Sequence, residues 1–210
     1  MSDDLRSVAR SYFDDRVSPA HDWHHVERVE ALAARLAADR TDVDDRVLEA
    51  AVLLHDIGRA REDAGEIADH AEWGAREARA VLSARGVAAE TIDAVCHCVR
   101  AHRYSNAVEP RSPAARILCD ADNLDAIGAI GLARTFSYGG EHGIPIVSLE
   151  SAPTESAGAL EETTIDHVEE KLLSLRERMY TEEGRALAES RHAFVETYLE
   201  RLEREVAGDA

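Results

Sequence analysis

The stretch Ala50-Ala51-Val52-Leu53-Leu54-His55-Asp56-Ile57-Gly58-Arg59 places a histidine and an aspartate side by side at the end of an apolar run, and a glycine then stops it. A fold that buries the run must satisfy the polar pair as well, by hydrogen bonds or by a metal ion. Imidazole plus carboxylate is a mixed N/O donor set that suits Mn, Fe, Co, Ni or Zn. Alone, the dipeptide reads equally as a satisfied core histidine at a helix end. Its meaning depends on which polar residues join it.

The rest of the chain reads as helix. Aromatic residues make up only 5% of the sequence, alanine is abundant and strand-like alternation is scarce, so 210 residues imply one all-α helical bundle. Apolar periodicity predicts a first helix from Ser2 to about Arg16 and a second from about Asp22 to Asp39, with His25 beside its apolar stripe. Thr41 to Asp45 is an acidic start signal for a third, which runs into His55-Asp56. Arg59 to Gly65 reads as a charged loop. Helices follow at Ile67–Arg85, stopped by Gly86, and at Ala88–His102. Ser112-Pro113 opens another. Ser137 to Ser156 reads as a long glycine-rich loop, offering amides to a phosphate or simply connecting. Thr163 or Thr164 caps a helix carrying His167 and Lys171, and Thr181 opens the last one, which runs to about Val206.

A formal charge of −18 excludes a general nucleic-acid binder. Any pocket for an anionic substrate must therefore bring its own metal or local cations. Cys96, Cys98 and Cys119 form neither a disulfide framework nor a zinc-finger spacing and read as buried thiols of a reducing cytoplasm. No apolar run approaches 18 residues and no signal peptide is evident, so a soluble cytoplasmic protein without membrane association is expected. The oligomeric state stays open, a homo-oligomer included.

His25-Val26-Glu27-Arg28-Val29, then His55-Asp56, then Asp122 within Asp120-Ala121-Asp122-Asn123-Leu124-Asp125, follow the order H…HD…D. This resembles the HD-domain superfamily of metal-dependent phosphohydrolases. His21-Asp22-Trp23-His24-His25, Ala94 to His97, Ala126 to Arg134 and Glu170 to Leu173 are similar to its YedJ/YpgQ-type subgroup. The resemblance implies an HD-type domain over residues 1–210, with a metal core at about 20–135 and C-terminal helices at about 160–206 packing on it. It implies His25, His55, Asp56 and Asp122 as metal ligands, with Asp56 also serving catalysis beside a metal-bound water. It implies a divalent cofactor, manganese foremost, with Mg, Co, Ni, Fe or Zn as alternatives. The activity implied is pyrophosphohydrolysis of (deoxy)nucleoside triphosphates. A nucleotidase or phosphomonoesterase, and a non-catalytic metal- or nucleotide-binding signalling module, are the alternatives.

Further residues have two readings each. Asp120 and Asp125 are partners of a ligand histidine or solvated carboxylates. Arg59 and Arg61 meet a phosphate or belong to an exposed loop. Lys171, the sole lysine, is a point charge for phosphate, with His167 one turn before it and His102 also on the substrate side, or a plain surface residue. His70 and His102 fall where binuclear HD phosphodiesterases carry extra histidines, which makes His70 a candidate for a second metal; no Gly-Tyr-Pro follows His102, so that likeness stops there.

Overall fold

Most helices of this chain begin where a short polar side chain takes up a free amide. Asp22 accepts from the His25 N–H, Asp44 from Arg46 and Val47, Asp69 from Glu72, Ser112 from Ala115 and Thr181 from Gly184. Thr163 and Asp166 form a reciprocal capping box. The computed structural model describes residues 2–13, 18, 20–103, 106–148 and 163–209. The fold is all-α, with no strand among the described residues. In chain order the helices are α1 (Ser2–Arg10), α2 (Trp23–Ala37), α3 (Asp45–Leu54), α4 (Arg59–Asp63), α5 (His70–Ser83), α6 (Ala89–His102), α7 (Pro113–Asp125), α8 (Gly128–His142), α9 (Thr164–His167) and α10 (Glu182–Ala207). A π turn (Val168–Leu172) and a 3-10 segment (Leu173–Arg178) connect α9 to α10.

The centre of the bundle is α7, which is buried on nearly every side: Ala114, Ala115, Ile117, Leu118, Cys119, Ala121 and Leu124 are all enclosed. A helix buried on nearly every side must sit among others. Here α2, α3 and α6 surround its front, and α8 and α10 close its back. The end of α3 is equally enclosed, with Leu53 and Leu54 fully buried. The three cysteines are free and buried, as expected. Cys96 Sγ donates to Ala75 O and Cys119 Sγ to Ala101 O, so each behaves as a small core residue. No helix among the described residues is long and apolar enough to cross a membrane.

Three local expectations need correction. The charged loop after Arg59 contains the short helix α4, five residues being too few for a periodic signal. The glycine-rich stretch from Ser137 is helical as far as His142, because α8 packs on α9 and α10. Glycine inside a helix costs about 1 kcal/mol, but Gly139 lies so close to α9 that a Cβ there would sit 2.6 Å from Thr164 Oγ1. Of the expected loop, 143–148 remains among the described residues, and 149–156 lies outside them. The helix at Lys171 is an irregular α, π and 3-10 succession instead of one continuous rod. The first helix ends at Arg10; its expected extension to Arg16 falls partly outside the described residues.

Asp120 also needs correction. It is neither a solvated carboxylate nor a partner of a site histidine. It is fully buried, and it accepts from the Tyr180 and Thr181 amides (2.8 Å each) and from the Thr181 hydroxyl (2.6 Å). One side chain of α7 thus fastens the start of α10. Asp120→Ala should leave those donors unsatisfied and cost about 2–4 kcal/mol of stability. A melting curve and a metal titration check this: the melting temperature should fall by several degrees while metal affinity is retained. Lost metal affinity at wild-type stability would return Asp120 to the site.

Candidate metal centre

Helix ends bring the polar residues together. His25 lies in the first turn of α2, three residues beyond its cap. Because α3 stops at Leu54, His55 and Asp56 occupy a turn, and the two adjacent side chains reach the same side. Asp122 and Asp125 lie three apart near the end of α7, on one face. His70 begins α5 and His102 ends α6. Gly58 allows the final approach: a Cβ there would lie 2.7 Å from His70 O, so the turn after Asp56 and the start of α5 touch through backbone.

Four imidazoles are pinned from outside. His55 Nδ1 donates to Val52 O (2.7 Å) and His102 Nδ1 to Val99 O (2.6 Å). His25 Nδ1 donates to Asp125 Oδ2 (2.8 Å), and His70 Nδ1 pairs with Glu62 Oε2. Every Nδ1 being spent as a donor, each Nε2 presents its lone pair to the interior. These nitrogens face one another in pairs, His25 with His55 at 3.2 Å and His70 with His102 at 3.3 Å. Asp56 stands between the pairs. Its Oδ2 lies 3.6 Å from His25 Nε2 and 3.9 Å from His55 Nε2. Its Oδ1 lies 3.3 Å from His70 Nε2 and 3.5 Å from His102 Nε2. Asp122 Oδ1 completes the first group, 3.4 Å from His25 Nε2. Two sets therefore emerge, His25–His55–Asp122 and Asp56–His70–His102, each with donor atoms mutually within 4.8 Å.

The electrostatics match a place built for cations. Burial pushes His55 down to about 4, while His25 rises because, against burial and Arg134, it is bonded to Asp122 and Asp125. In the other pair burial lowers His70, and His102 rises because contact with Asp56 outweighs its burial. Each facing pair thus holds one ready proton acceptor and one reluctant one. Burial alone would raise Asp56, yet His55, His102, His70 and His25 hold it well below the usual carboxylate range. Asp122 is lowered likewise, His25 outweighing its burial. The set fits divalent ions by its chemistry: four imidazole nitrogens and two carboxylates face one another as a mixed N and O donor set.

The centre opens into a cleft of about 600 Å³. Asp122, its side chain 26% exposed, faces that space. Its lining includes Arg59 of α4, Arg103 after α6, Arg134 of α8, and His167 and Lys171 of the α9–π segment. The cleft thus has the local cations that a chain of charge −18 needs for an anionic ligand. Lys171 lies in the π turn, half-buried in the cleft lining, and its pKa is lowered by burial and then by Arg59. Arg61 does not join them. It pairs with Glu66 (3.0 Å) and covers the Trp73 ring. His24 is turned outward onto Glu27.

Glu62 carries no sequence signal, and Arg28, Arg134 and His21 stand in the quoted motifs without an assigned role. Glu62 orients His70, accepts from the His70 N–H (2.9 Å) and pairs with Arg103 (2.9 Å). Arg28 and Arg134 clamp Asp125 from two helices, at 2.8 Å each, which together with His25 holds its carboxyl at about 2 against burial. Arg134 also donates to Ala20 O, tying α8 to the segment before α2. His21 lines the cleft with a buried Nδ1 that has no partner within the protein.

Comparison with known proteins adds the following. The HD domain family model matches residues 22–127. The chain is 33% identical over 211 residues to the uncharacterized protein YpgQ of Bacillus subtilis, covering 99% of this chain and 94% of that one. The crystal structure of Bacillus subtilis YpgQ in complex with ADP superposes with a TM-score of 0.75 at 29% identity, over the whole of both chains. An HD-superfamily hydrolase from Bacillus thuringiensis gives 0.74 at 28% identity, covering 98% and 96%.

The Glu62–His70 contact gives a direct test. Glu62→Gln keeps the volume but removes the charge that orients the ring, and should weaken metal binding about 10- to 100-fold. Calorimetric titration of the chelator-stripped protein measures it. Unchanged affinity would leave Glu62 as a partner of Arg103 alone.

Proposed function

Since the chain belongs to the HD domain family, whose members bind divalent metal ions, we propose that it is a metal-dependent phosphohydrolase releasing pyrophosphate from (deoxy)nucleoside triphosphates. The observation that carries the reading is the convergence of four imidazole Nε2 atoms and two carboxylates in a cleft whose lining carries arginines and a lysine. The ADP complex of YpgQ supports a nucleotide as the ligand, and the Bacillus thuringiensis relative supports hydrolysis. His25, His55 and Asp122 would hold one ion, and His70 and His102 a second, with Asp56 offering one oxygen to each. Manganese suits this mixed N/O set. When bound, such ions supply Lewis acidity and acidify water.

The chain's own residues do the remainder. Asp125 and Glu62 hold the rings of His25 and His70 in register. Arg59, Arg134 and Lys171 neutralise phosphate oxygens, and charge building up on a departing pyrophosphate meets the same groups. Asp56, an acceptor only, receives no proton from its imidazole neighbours while they serve as donors of lone pairs. The three buried free thiols support a reducing, cytoplasmic setting.

The products decide the reaction. Manganese-loaded protein given a nucleoside triphosphate should yield the monophosphate and pyrophosphate, with orthophosphate appearing only after pyrophosphatase is added. Direct orthophosphate would mean a phosphomonoesterase, and bound metal without turnover a binding module. Elemental analysis should find two ions per chain, falling to one in His70→Ala. One ion in the wild type would confine the centre to the first group.

A further inference from the structure

The cleft wall formed by α8 changes character along its length. Gly131, Arg134, Thr135, Tyr138 and Gly139 recur at helical spacing and all line the cleft. Arg134 is bound to Asp125 beside His25, so that end belongs to the charged floor. Tyr138 lies four residues on, about 6 Å further along the axis. There the lining turns to Gly139, Ile144, Thr163 and Thr164, with no formal charge among them.

Tyr138 is set up to present a ring. It is 38% exposed, although it lines the cleft. The His142 ring stacks against it, centroids 4.0 Å apart and 25° between planes, and His142 Nδ1 donates to Tyr138 O (2.9 Å). The stack is therefore braced through its own backbone. Two hydroxyls nearby are engaged within the protein. The Thr135 hydroxyl donates to Gly131 O (2.9 Å), and the Thr163 hydroxyl to Asp166 Oδ2 (2.8 Å). A flat ring beside spent hydroxyl donors suits a ligand read by its face and not by its edge.

We propose that Tyr138, braced by His142, is the platform on which the nucleobase of the substrate stacks, so that the site selects nucleotides over simple polyphosphates while tolerating different bases. This rests on the nucleotide reading above, and it names the subsite of that same cleft. Aromatic stacking on a base is sequence-tolerant because every base has a π face. Purines, with the larger face, should bind more tightly than pyrimidines.

The test reads binding, which needs no turnover. Dissociation constants for adenosine diphosphate, uridine diphosphate and inorganic pyrophosphate are measured on the manganese-loaded wild type, Tyr138→Phe and Tyr138→Ala. The wild type should prefer the nucleotides to pyrophosphate, with adenosine ahead of uridine. Tyr138→Ala should weaken adenosine diphosphate about 5- to 100-fold and pyrophosphate less than twofold. Tyr138→Phe, which keeps the ring, should bind like wild type. Equal weakening of all three ligands in Tyr138→Ala, no weakening of the nucleotides, a Phe variant as weak as Ala, or a wild type without preference for nucleotides would each overturn the platform. Failure of the phosphohydrolase reading would appear instead as absent turnover with these binding ratios intact.

Discussion

Two pairs of imidazole nitrogens, each facing its partner across little more than 3 Å with lone pairs inward, set the condition for everything around them. Such an arrangement is repulsive unless a cation stands between the rings. Within each pair the shifts run in opposite directions, His25 and His102 raised by their carboxylate partners and His55 and His70 lowered by burial. A divalent ion answers both rings at once. Asp56 lies between the pairs and turns a different oxygen to each, so its charge is shared by both halves of the centre.

The surrounding fold supplies rigidity where the rings need it. Val52 O and Val99 O, which fix His55 and His102, belong to the last turns of α3 and α6. Those carbonyls need a donor at a helix end in any case. Asp125 is held by Arg28 of α2 and Arg134 of α8, which keeps it ionised and in place for His25. On the far side of α7, Asp120 fastens the start of α10, so the helix that carries Asp122 is tied down on both faces. The chain thus spends buried carboxylates on structure and on the centre, and it lines the cleft beside them with three arginines and its one lysine.

The legible part of this structure is the part encoded locally. Asp22, Asp44, Ser112 and Thr181 announce their helices because a cap works within three residues. His55, Asp56 and Gly58 stand out because polar residues interrupt an apolar run. The positions His25, His55, Asp56 and Asp122 are found together in the structure, with His70 and His102 beside them. Glu62 was hidden in a helix too short to show a period. The engagement of Asp56 by His70 and His102 depends on how α5 and α6 pack, which no spacing reveals. Asp120 and Asp125 could have been told apart: at 100° per residue, Asp125 shares a face with Asp122, whereas Asp120 is turned well away from it. Gly139 of α8 defeats propensity because Thr164 leaves no room for a side chain there.

The claim on which the account turns is that Asp56 and its neighbours form a cation site. The most direct measurement is the shift in melting temperature between chelator and excess manganese, taken on the wild type and on Asp56→Ala. A ligand at a hundred times its dissociation constant stabilises by about 2.7 kcal/mol, or about 5–10 °C for a chain of this size. The wild type should show a gain of that order, and Asp56→Ala little or none. Equal gains in both proteins would mean that Asp56 holds no metal, and His55-Asp56 would revert to a satisfied polar pair at the end of a buried helix.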